Sequence, residues 1–329
     1  MKRIMACGMV LSVLCSLIGT GCTADTSEVA NTNIVFNIEK LHNGDAKFFN
    51  DKIITSVNGE LSIYNENGEL FKNYGIQSSW MDTCPKDKVV IYGNFENEIG
   101  IAQFDNQYNL IQNNILWKSE NLHIDPAIIK IDGEYYFTAT EIVGNVNNAD
   151  VNQENGQYTV KLYKTADLIN IEYVSDIISE KNNIEDVDLV KLDDGLGLVY
   201  EKEKVDKGDS SIEILKSNGN DYKKWKSKTI LENPDCDHEP ASLIYNKDDT
   251  YSLYYSCDRE NIGKSYMGGN IYESRFDKDF KKQSNQKIDT ETKTGILLYD
   301  VQNKAGEISL LFAKNYLTDC DLVKETSHK

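Results

Sequence analysis

The sequence predicts an all-β fold, a five-bladed β-propeller with a six-bladed propeller as the alternative. Apolar runs of four to seven residues alternate with polar positions between residues 36 and 324, and Gly, Asn and Asp divide them. These strand–turn–strand units recur roughly every 40 to 60 residues, which is the range of propeller blades. No helical stripe follows the N-terminal segment. Because a radial arrangement of small sheets protects most strand edges, it suits a chain so rich in strands.

The units can be followed in order along the chain. In the first, residues 52–57 and 60–64 flank the turn Asn58-Gly59, the signature of a tight hairpin. Residues 34–41 are expected to add an outer strand to the last unit and so close the ring. Separate sandwich domains are the alternative, although no linker rich in Pro or Ser divides the chain. The predicted units cover residues 44–75, 79–117, 123–179, 184–231, 238–283 and 294–325.

The first 22 residues are typical of an export signal. Lys2 and Arg3 form a basic start, residues 4–18 are apolar, and Cys22 follows shortly afterwards. This pattern resembles a bacterial lipoprotein signal, with Cys22 as the lipid-modified first mature residue. The predicted domains are therefore a signal peptide over 1–21, a linker over 22–35 and the propeller over 36–329. An ordinary cleaved secretory signal is the alternative.

A lipid such as palmitate on Cys22 would hold the propeller at the extracytoplasmic face of the cell membrane without spanning it. Acidic residues outnumber basic ones by 53 to 35, for a formal net charge of −18. A chain this acidic is unsuited to nucleic acid, which needs Lys and Arg to displace counterions. A monomer with neutral or cationic partners is expected.

Four cysteines remain once the N-terminal segment is set aside: Cys84, Cys236, Cys257 and Cys320. Cys236 and Cys257 flank one predicted hairpin, so they are expected near the same end of it. Cys84 and Cys320 lie near the two ends of the propeller sequence. The sequence is compatible with disulfides within these two pairs and also with four free thiols. No Cys-x-x-Cys spacing indicates a zinc site.

Three units carry an acid in the same position. Asp125, Asp186 and Glu239 each lie six residues before the equivalent apolar position of their unit. The first strand of every blade lines the propeller axis, so the three side chains are expected to meet at one mouth of the channel. Clustered carboxylates raise one another's pKa, which lets one of them act as a general acid at neutral pH. Hydrogen bonding to neighbouring backbone is the structural alternative.

Several side chains near these acids are candidates for binding a ligand. Trp80 and Tyr266 lie near predicted loops and offer flat faces to sugars, with blade packing as the alternative. His123 and His238 stand close to the acids, with a hydrogen-bonded structural role as the alternative. No cofactor is predicted, and a calcium ion among the channel carboxylates is the one exception to consider.

Three segments resemble the arabinanase and β-xylosidase family of glycoside hydrolases (family 43), whose fold is a five-bladed β-propeller. These segments are Asp125-Pro126 with the turn and tyrosines that follow it, residues 165–170, and Glu239-Pro240 with the tyrosines at 254 and 255. The likeness covers about residues 79–290.

The resemblance implies that Asp125 is the general base, Asp186 the modulator of pKa and Glu239 the general acid. Asp82 fits the longer interval between the first two acids of the family and is the alternative base. The chain is therefore expected to be a cell-surface lipoprotein that hydrolyses polysaccharide or oligosaccharide by carboxylate acid–base catalysis. A non-catalytic propeller that binds glycan or assembles a surface complex is the alternative.

Overall fold

The computed structural model describes residues 32–36, 44–56, 59–144, 156–181, 183–203, 210–232, 235–246, 248–304, 307–315 and 321–328. Within these ranges the chain forms six four-stranded sheets. The prediction of an all-β propeller is confirmed, but the structure has six blades and not five. The described residues include no helix that is long and apolar enough to cross a membrane.

In chain order the strands are β1 Thr32–Val35, β2 Ala46–Phe49, β3 Lys52–Thr55, β4 Glu60–Asn65, β5 Leu70–Gln77, β6 Trp80–Cys84, β7 Val89–Gly93, β8 Glu98–Phe104, β9 Leu110–Lys118, β10 Leu122–Ile131, β11 Glu134–Val143, β12 Gln157–Thr165, β13 Glu172–Glu180, β14 Asn183–Leu192, β15 Gly195–Glu203, β16 Ser210–Asn218, β17 Asp221–Glu232, β18 His238–Tyr245, β19 Tyr251–Cys257, β20 Asn270–Phe276, β21 Lys282–Lys287, β22 Ile296–Lys304, β23 Glu307–Lys314 and β24 Asp321–His328. Single 3-10 turns cover Pro85–Asp87 and Ser265–Gly268.

Five blades each consist of four consecutive strands, and the sixth combines β22, β23 and β24 with β1. β1 pairs antiparallel with β24, placing Ile34 opposite Lys324. This is the ring closure predicted for residues 34–41, achieved by Thr32–Val35. The strand lies inside the segment predicted as a linker over 22–35, so the propeller includes Thr32–Val35 as well as the described residues from 36 onwards. Residues 37–43, the predicted signal peptide over 1–21 and Cys22 lie outside the described part of the chain.

Burial falls from the hub of the propeller to its rim. The second strand of a blade is covered on both faces by neighbouring blades, and β19 is accordingly buried at every position. The outermost strand of the same blade, β21, reads KQSNQK and is almost entirely exposed. Between the blade of β10–β13 and the blade of β14–β17, the fully buried side chains Leu162, Leu198 and Tyr200 belong to one apolar cluster. Apolar packing between blades therefore holds the inner strands in place.

Two inner strands contain a bulge at the position of a predicted acid. The register shifts between Ile124 and Ala127 in β10 and between Glu185 and Asp188 in β14. Asp125 and Asp186 adopt left-handed backbone conformations there, with φ of 44° and 49°. Aspartate tolerates this region better than most residues, and the bulge locally redirects the side chain. The repeated bulge thus gives the two acids equivalent places on adjacent inner strands.

Candidate active site at the propeller hub

Acidic side chains join each blade to the next at the hub. An inner strand has backbone N–H groups along its channel edge that no neighbouring strand pairs, and leaving such groups buried and unsatisfied is costly. Among the described residues, five of the six blade junctions satisfy one of these N–H groups with an aspartate from the preceding blade, and the sixth uses a serine. The donor and acceptor pairs are Met81 to Asp45 (2.8 Å), Ile128 to Asp82 (2.7 Å), Asp186 to Asp125 (3.0 Å), Leu243 to Asp188 (3.3 Å), Phe48 to Asp300 (2.8 Å) and Leu298 to Ser256 (2.6 Å).

The six acceptors Asp45, Asp82, Asp125, Asp188, Ser256 and Asp300 are called the junction ring. Two of the four acids predicted to be catalytic, Asp82 and Asp125, belong to it. Each accepts a backbone N–H of the next blade, which is the structural alternative that the sequence left open. Asp82 lies near Lys47 and Asp300. Asp125 lies near Asp186 and Asp45, and burial followed by these two charges raises its pKa well above the ordinary value. Asp125 therefore combines a structural contact with a place among the remaining candidate acids, and Asp82 does not.

Lys47 lies among four ring aspartates. Burial alone would lower the pKa of Lys47, but the charges of Asp300, Asp82, Asp45 and Asp188 raise it above its ordinary value. Its ammonium also donates a hydrogen bond to the Tyr299 carbonyl at 3.1 Å. The group lines a cavity of about 230 Å³. The cavity is formed by Lys47, Phe48, Asp82, Thr83, Pro85, Asp188, Ala241, Ser242, Asp300, Val301 and Gln302.

Burial also perturbs the aspartates around Lys47. It raises the pKa of Asp188 to about 7 and that of Asp45 to about 6, while the charge of Lys47 opposes both shifts. Lys47 thus neutralises part of an acidic hub that burial would otherwise force to take up protons.

Asp186, Glu201 and Glu239 form a second group of acids at the hub. Each contributes a carboxylate oxygen that lies within 4.8 Å of the other two. Burial raises the pKa of Glu239 well above its ordinary value, and the charges of Glu201, Asp237 and Asp186 raise it further. Burial raises the pKa of Asp186 as well, but the hydrogen bond from Glu239 opposes the shift. Two carboxylates share a hydrogen bond only when one of them holds a proton, and the directions of the two pKa shifts favour Glu239 as the proton donor and Asp186 as the acceptor.

Glu201 was not among the residues predicted from the sequence. It lies on β15, directly opposite Glu185 on β14, and only 3% of its surface is exposed. Burial raises its pKa well above the ordinary value, and the charges of Asp237 and Asp186 add to the shift. Two acids directly opposite in neighbouring strands repel each other, so this pairing was the signal available in the sequence. The prediction considered only first strands and therefore missed it.

The two histidines predicted to bind ligand are buried. His123 accepts a hydrogen bond from the Trp117 indole N–H at 3.3 Å, and its Nδ1 lies 3.1 Å from the Asn121 carbonyl. His238 donates from Nδ1 to the Ser210 carbonyl at 3.1 Å, and burial lowers its pKa to about 4. The contacts of His123 are those of a structural histidine. Nε2 of His238 is buried without a hydrogen-bond partner among the described residues, so ligand binding by His238 stays a prediction.

Trp80 is the aromatic residue predicted for ligand binding whose side chain is partly exposed. It begins β6 and packs against Phe95, with ring centroids 4.7 Å apart. Phe95 is 36% exposed, so the pair presents an aromatic surface to solvent. The side chain of Tyr266 lies outside the described part of the structure.

The three clustered carboxylates are also the kind of donor that a hard cation prefers. Asp186, Glu201 and Glu239 offer oxygens that are close enough to share one ion. The expectation of a calcium ion in the channel therefore stays a prediction with a defined set of residues.

No protein family model matches the chain, and no curated protein matches it in sequence. Solved structures resemble it in fold. An α-L-arabinofuranosidase from Lactobacillus brevis aligns with a TM-score of 0.53 and 14% identity over 75% of this chain and 89% of that chain. An α-L-arabinanase from Penicillium chrysogenum, solved with arabinobiose, aligns with a TM-score of 0.51 and 9% identity over 91% of this chain and 97% of that chain.

A β-1,2-mannobiose phosphorylase from Listeria innocua aligns with a TM-score of 0.50 and 12% identity over 90% of both chains. At these identities the three alignments show a shared fold and nothing finer. The predicted resemblance to arabinanase-type propellers is therefore confirmed at the level of the fold.

Proposed function

We propose that the chain is a glycoside hydrolase in which Glu239 is the general acid. The observation that carries the proposal is the close approach of the Glu239, Asp186 and Glu201 carboxylates at the hub, whose oxygens lie within 4.8 Å of one another. A carboxylic acid kept protonated by burial and by neighbouring negative charge is what cleavage of a glycosidic bond requires at neutral pH. Asp186 orients that proton and, by its charge, keeps the pKa of Glu239 high.

The remaining roles follow from position and the balance of protons. Glu239 gives its proton to the glycosidic oxygen as the bond from that oxygen to the anomeric carbon breaks. Asp125 takes a proton from a water molecule whose oxygen bonds to the same carbon, and for this it must be ionised although burial, followed by the charges of Asp186 and Asp45, raises its pKa. One oxygen of Asp125 already accepts the Asp186 N–H, so the other takes the proton. Trp80 and Phe95 supply a surface against which a sugar ring can stack.

Hydrolysis fits the charges around Glu239 better than phosphorolysis does. A phosphorylase must hold an inorganic phosphate anion beside the bond that it cleaves. Here the groups that raise the pKa of Glu239 are the acids Glu201, Asp237 and Asp186, which would repel phosphate. Two of the structural neighbours are named as enzymes of arabinan or arabinofuranosides, so an arabinose-containing glycan is the first substrate to test.

A panel assay tests the proposal. Purified protein should release reducing sugar from at least one of arabinan, xylan, mannan or the matching aryl glycosides. A binding module is the second candidate, because Glu239 has only 9% of its surface exposed. Calorimetric binding of a glycan without any cleavage product would favour that module and would remove the acid–base mechanism.

Glu201→Gln is expected to shift the pH profile of the enzyme. The acid Glu239 must be protonated, so kcat/KM falls as pH rises through its raised pKa. Loss of the neighbouring Glu201 charge lowers that pKa, so the alkaline limb should move to lower pH. Glu260→Gln, which removes an exposed ion pair with Lys287, serves as the control and should leave the limb unchanged. If the alkaline limb of the kcat/KM profile is the same in Glu201→Gln as in the wild type, Glu201 does not influence the pKa of the catalytic acid.

We also propose that the propeller is a cell-surface lipoprotein, on the basis of the pattern that precedes Cys22. Cells fed labelled palmitate should incorporate the label into the wild-type chain and not into Cys22→Ala. Label retained in the variant would contradict lipidation at Cys22.

A further inference from the structure

Two buried cysteines lie together at the end of the hairpin that carries Glu239. Cys257 is the last residue of β19 and stands directly opposite His238, the first residue of β18. Cys236 lies two residues before β18, and its side chain is buried in the same cluster as that of Cys257. The Cys236 and Cys257 sulfurs lie within 4.8 Å of each other and share a hydrogen bond. Both side chains are buried, and neither is joined in a disulfide in this structure.

We propose that Cys236 and Cys257 form a disulfide that clamps β18 to β19 beside Glu239. A disulfide has a sulfur–sulfur distance of about 2.05 Å, so the two sulfurs must approach by less than about 3 Å, which rotation of short side chains supplies. The bond would close a loop of about 20 residues that contains the whole hairpin, a length at which cross-linking restricts the unfolded chain substantially.

The same two sulfurs also suggest a metal site, because the carboxylate of Asp258 lies within 4.8 Å of both. The contacts of Asp258 argue against this. One of its oxygens accepts the Asp237 N–H at 3.0 Å, and the other accepts the Lys264 N–H at 3.1 Å. Among the described residues a metal would find two sulfurs and this one carboxylate, one ligand fewer than a structural zinc site needs. A disulfide uses only the sulfurs and leaves these bonds in place.

Burial also determines when the bond can form. It raises the pKa of the Cys257 thiol to about 12 and raises that of Cys236 as well. The thiolate is the reactive form, so the folded thiols react slowly at neutral pH. The bond therefore forms on the unfolded or partly folded chain. One thiolate attacks a small-molecule disulfide such as oxidised glutathione and releases one glutathione thiolate. The second thiolate then attacks the mixed disulfide and releases the other, so two cysteine thiols are oxidised while one glutathione disulfide is reduced.

Peptide mapping of the full chain tests this. The chain is unfolded, reduced, and refolded with reduced and oxidised glutathione. Remaining thiols are alkylated, and the protein is digested with trypsin, which places Cys236 in residues 229–247 and Cys257 in residues 248–259. The two peptides should be recovered as one linked species, 2 Da lighter than their sum. Cys84→Ser should give the same species, because Cys84 instead lies 3.7 Å from the Ile128 carbonyl.

A rate measurement adds a second readout that needs no variant. Dithiothreitol should reduce the bond at least about tenfold more slowly in the folded protein than in urea, because access requires opening of the blade. Recovery of both peptides as separate alkylated species after oxidative refolding would overturn the proposal. The proposal would also be overturned if the refolded protein contained one zinc ion per chain and the Cys236 and Cys257 thiols were not linked.

Discussion

Glu239→Gln is expected to lower kcat/KM for glycoside cleavage by roughly 10²- to 10⁴-fold, the usual contribution of a positioned general acid. Glutamine has the shape of the protonated acid and can still donate a hydrogen bond to Asp186, but it has no proton to give. Because burial and the neighbouring acids raise the pKa of Glu239, neutral glutamine matches the form of the side chain that the folded state favours. The melting temperature should therefore stay within about 2 °C of wild type.

The loss of activity should depend on the leaving group of the substrate, which distinguishes a general acid from a residue with another role. A dinitrophenyl glycoside departs without protonation, so the loss with that substrate should be much smaller than with a natural glycan. Asp82→Asn is the matched control from the junction ring. It should lower the melting temperature but leave kcat/KM of the folded protein within about threefold. A large loss of activity in Asp82→Asn together with an active Glu239→Gln would reverse the two roles.

Lys47→Met is expected to destabilise the propeller by about 3–5 kcal/mol at pH 8, since removing one partner of a buried charge group leaves the others uncompensated. Lys47 is the cation that lowers the pKa of Asp45, Asp82, Asp188 and Asp300. Methionine keeps most of the side-chain length and removes only the ammonium. Urea denaturation followed by tryptophan fluorescence measures the change.

The effect should depend on pH in a defined direction. Asp45 and Asp188 have folded pKa values above their unfolded value, so their ionisation costs stability as pH rises between about 4 and 7. Without Lys47 that cost grows, and the variant should recover stability as pH falls from 8 to 5. Lys324→Met, which breaks one partly exposed pair with Glu66, should cost about 1 kcal/mol or less at either pH. If Lys47→Met lowers the free energy of unfolding by the same amount at pH 5 and pH 8, the substitution acts through packing and not through charge.

The sequence predicted the repeated unit well because the unit is local. Alternation and turn residues defined the six segments, and the bulge positions of Asp125 and Asp186 were visible as one offset shared by two units. The pairing of Asp186 with Glu239 follows from that offset once adjacent units are placed around an axis. These features need only short-range patterns and the rule that first strands line the channel.

The number of blades and the role of each acid could not be predicted in this way. Six segments were counted, but a family resemblance favoured five blades, and ring closure depends on the angle between sheets. In the sequence alone, Asp82 and Asp188 cannot be told from a catalytic acid. Only their contacts with the neighbouring blade show that each accepts a backbone N–H. Lys47 was missed because its partners come from four different blades.

The junction ring makes every blade a connector with two complementary ends. Each inner strand presents an amide to the blade before it, and five of the six blades present an aspartate to the blade after it. Excising or duplicating one such module in frame would bring an amide and an oxygen together at the new boundary. The amide–oxygen junctions alone therefore do not fix the number of modules, so propellers of different size can descend from a common ancestor by gain or loss of whole modules other than the one that carries Lys47.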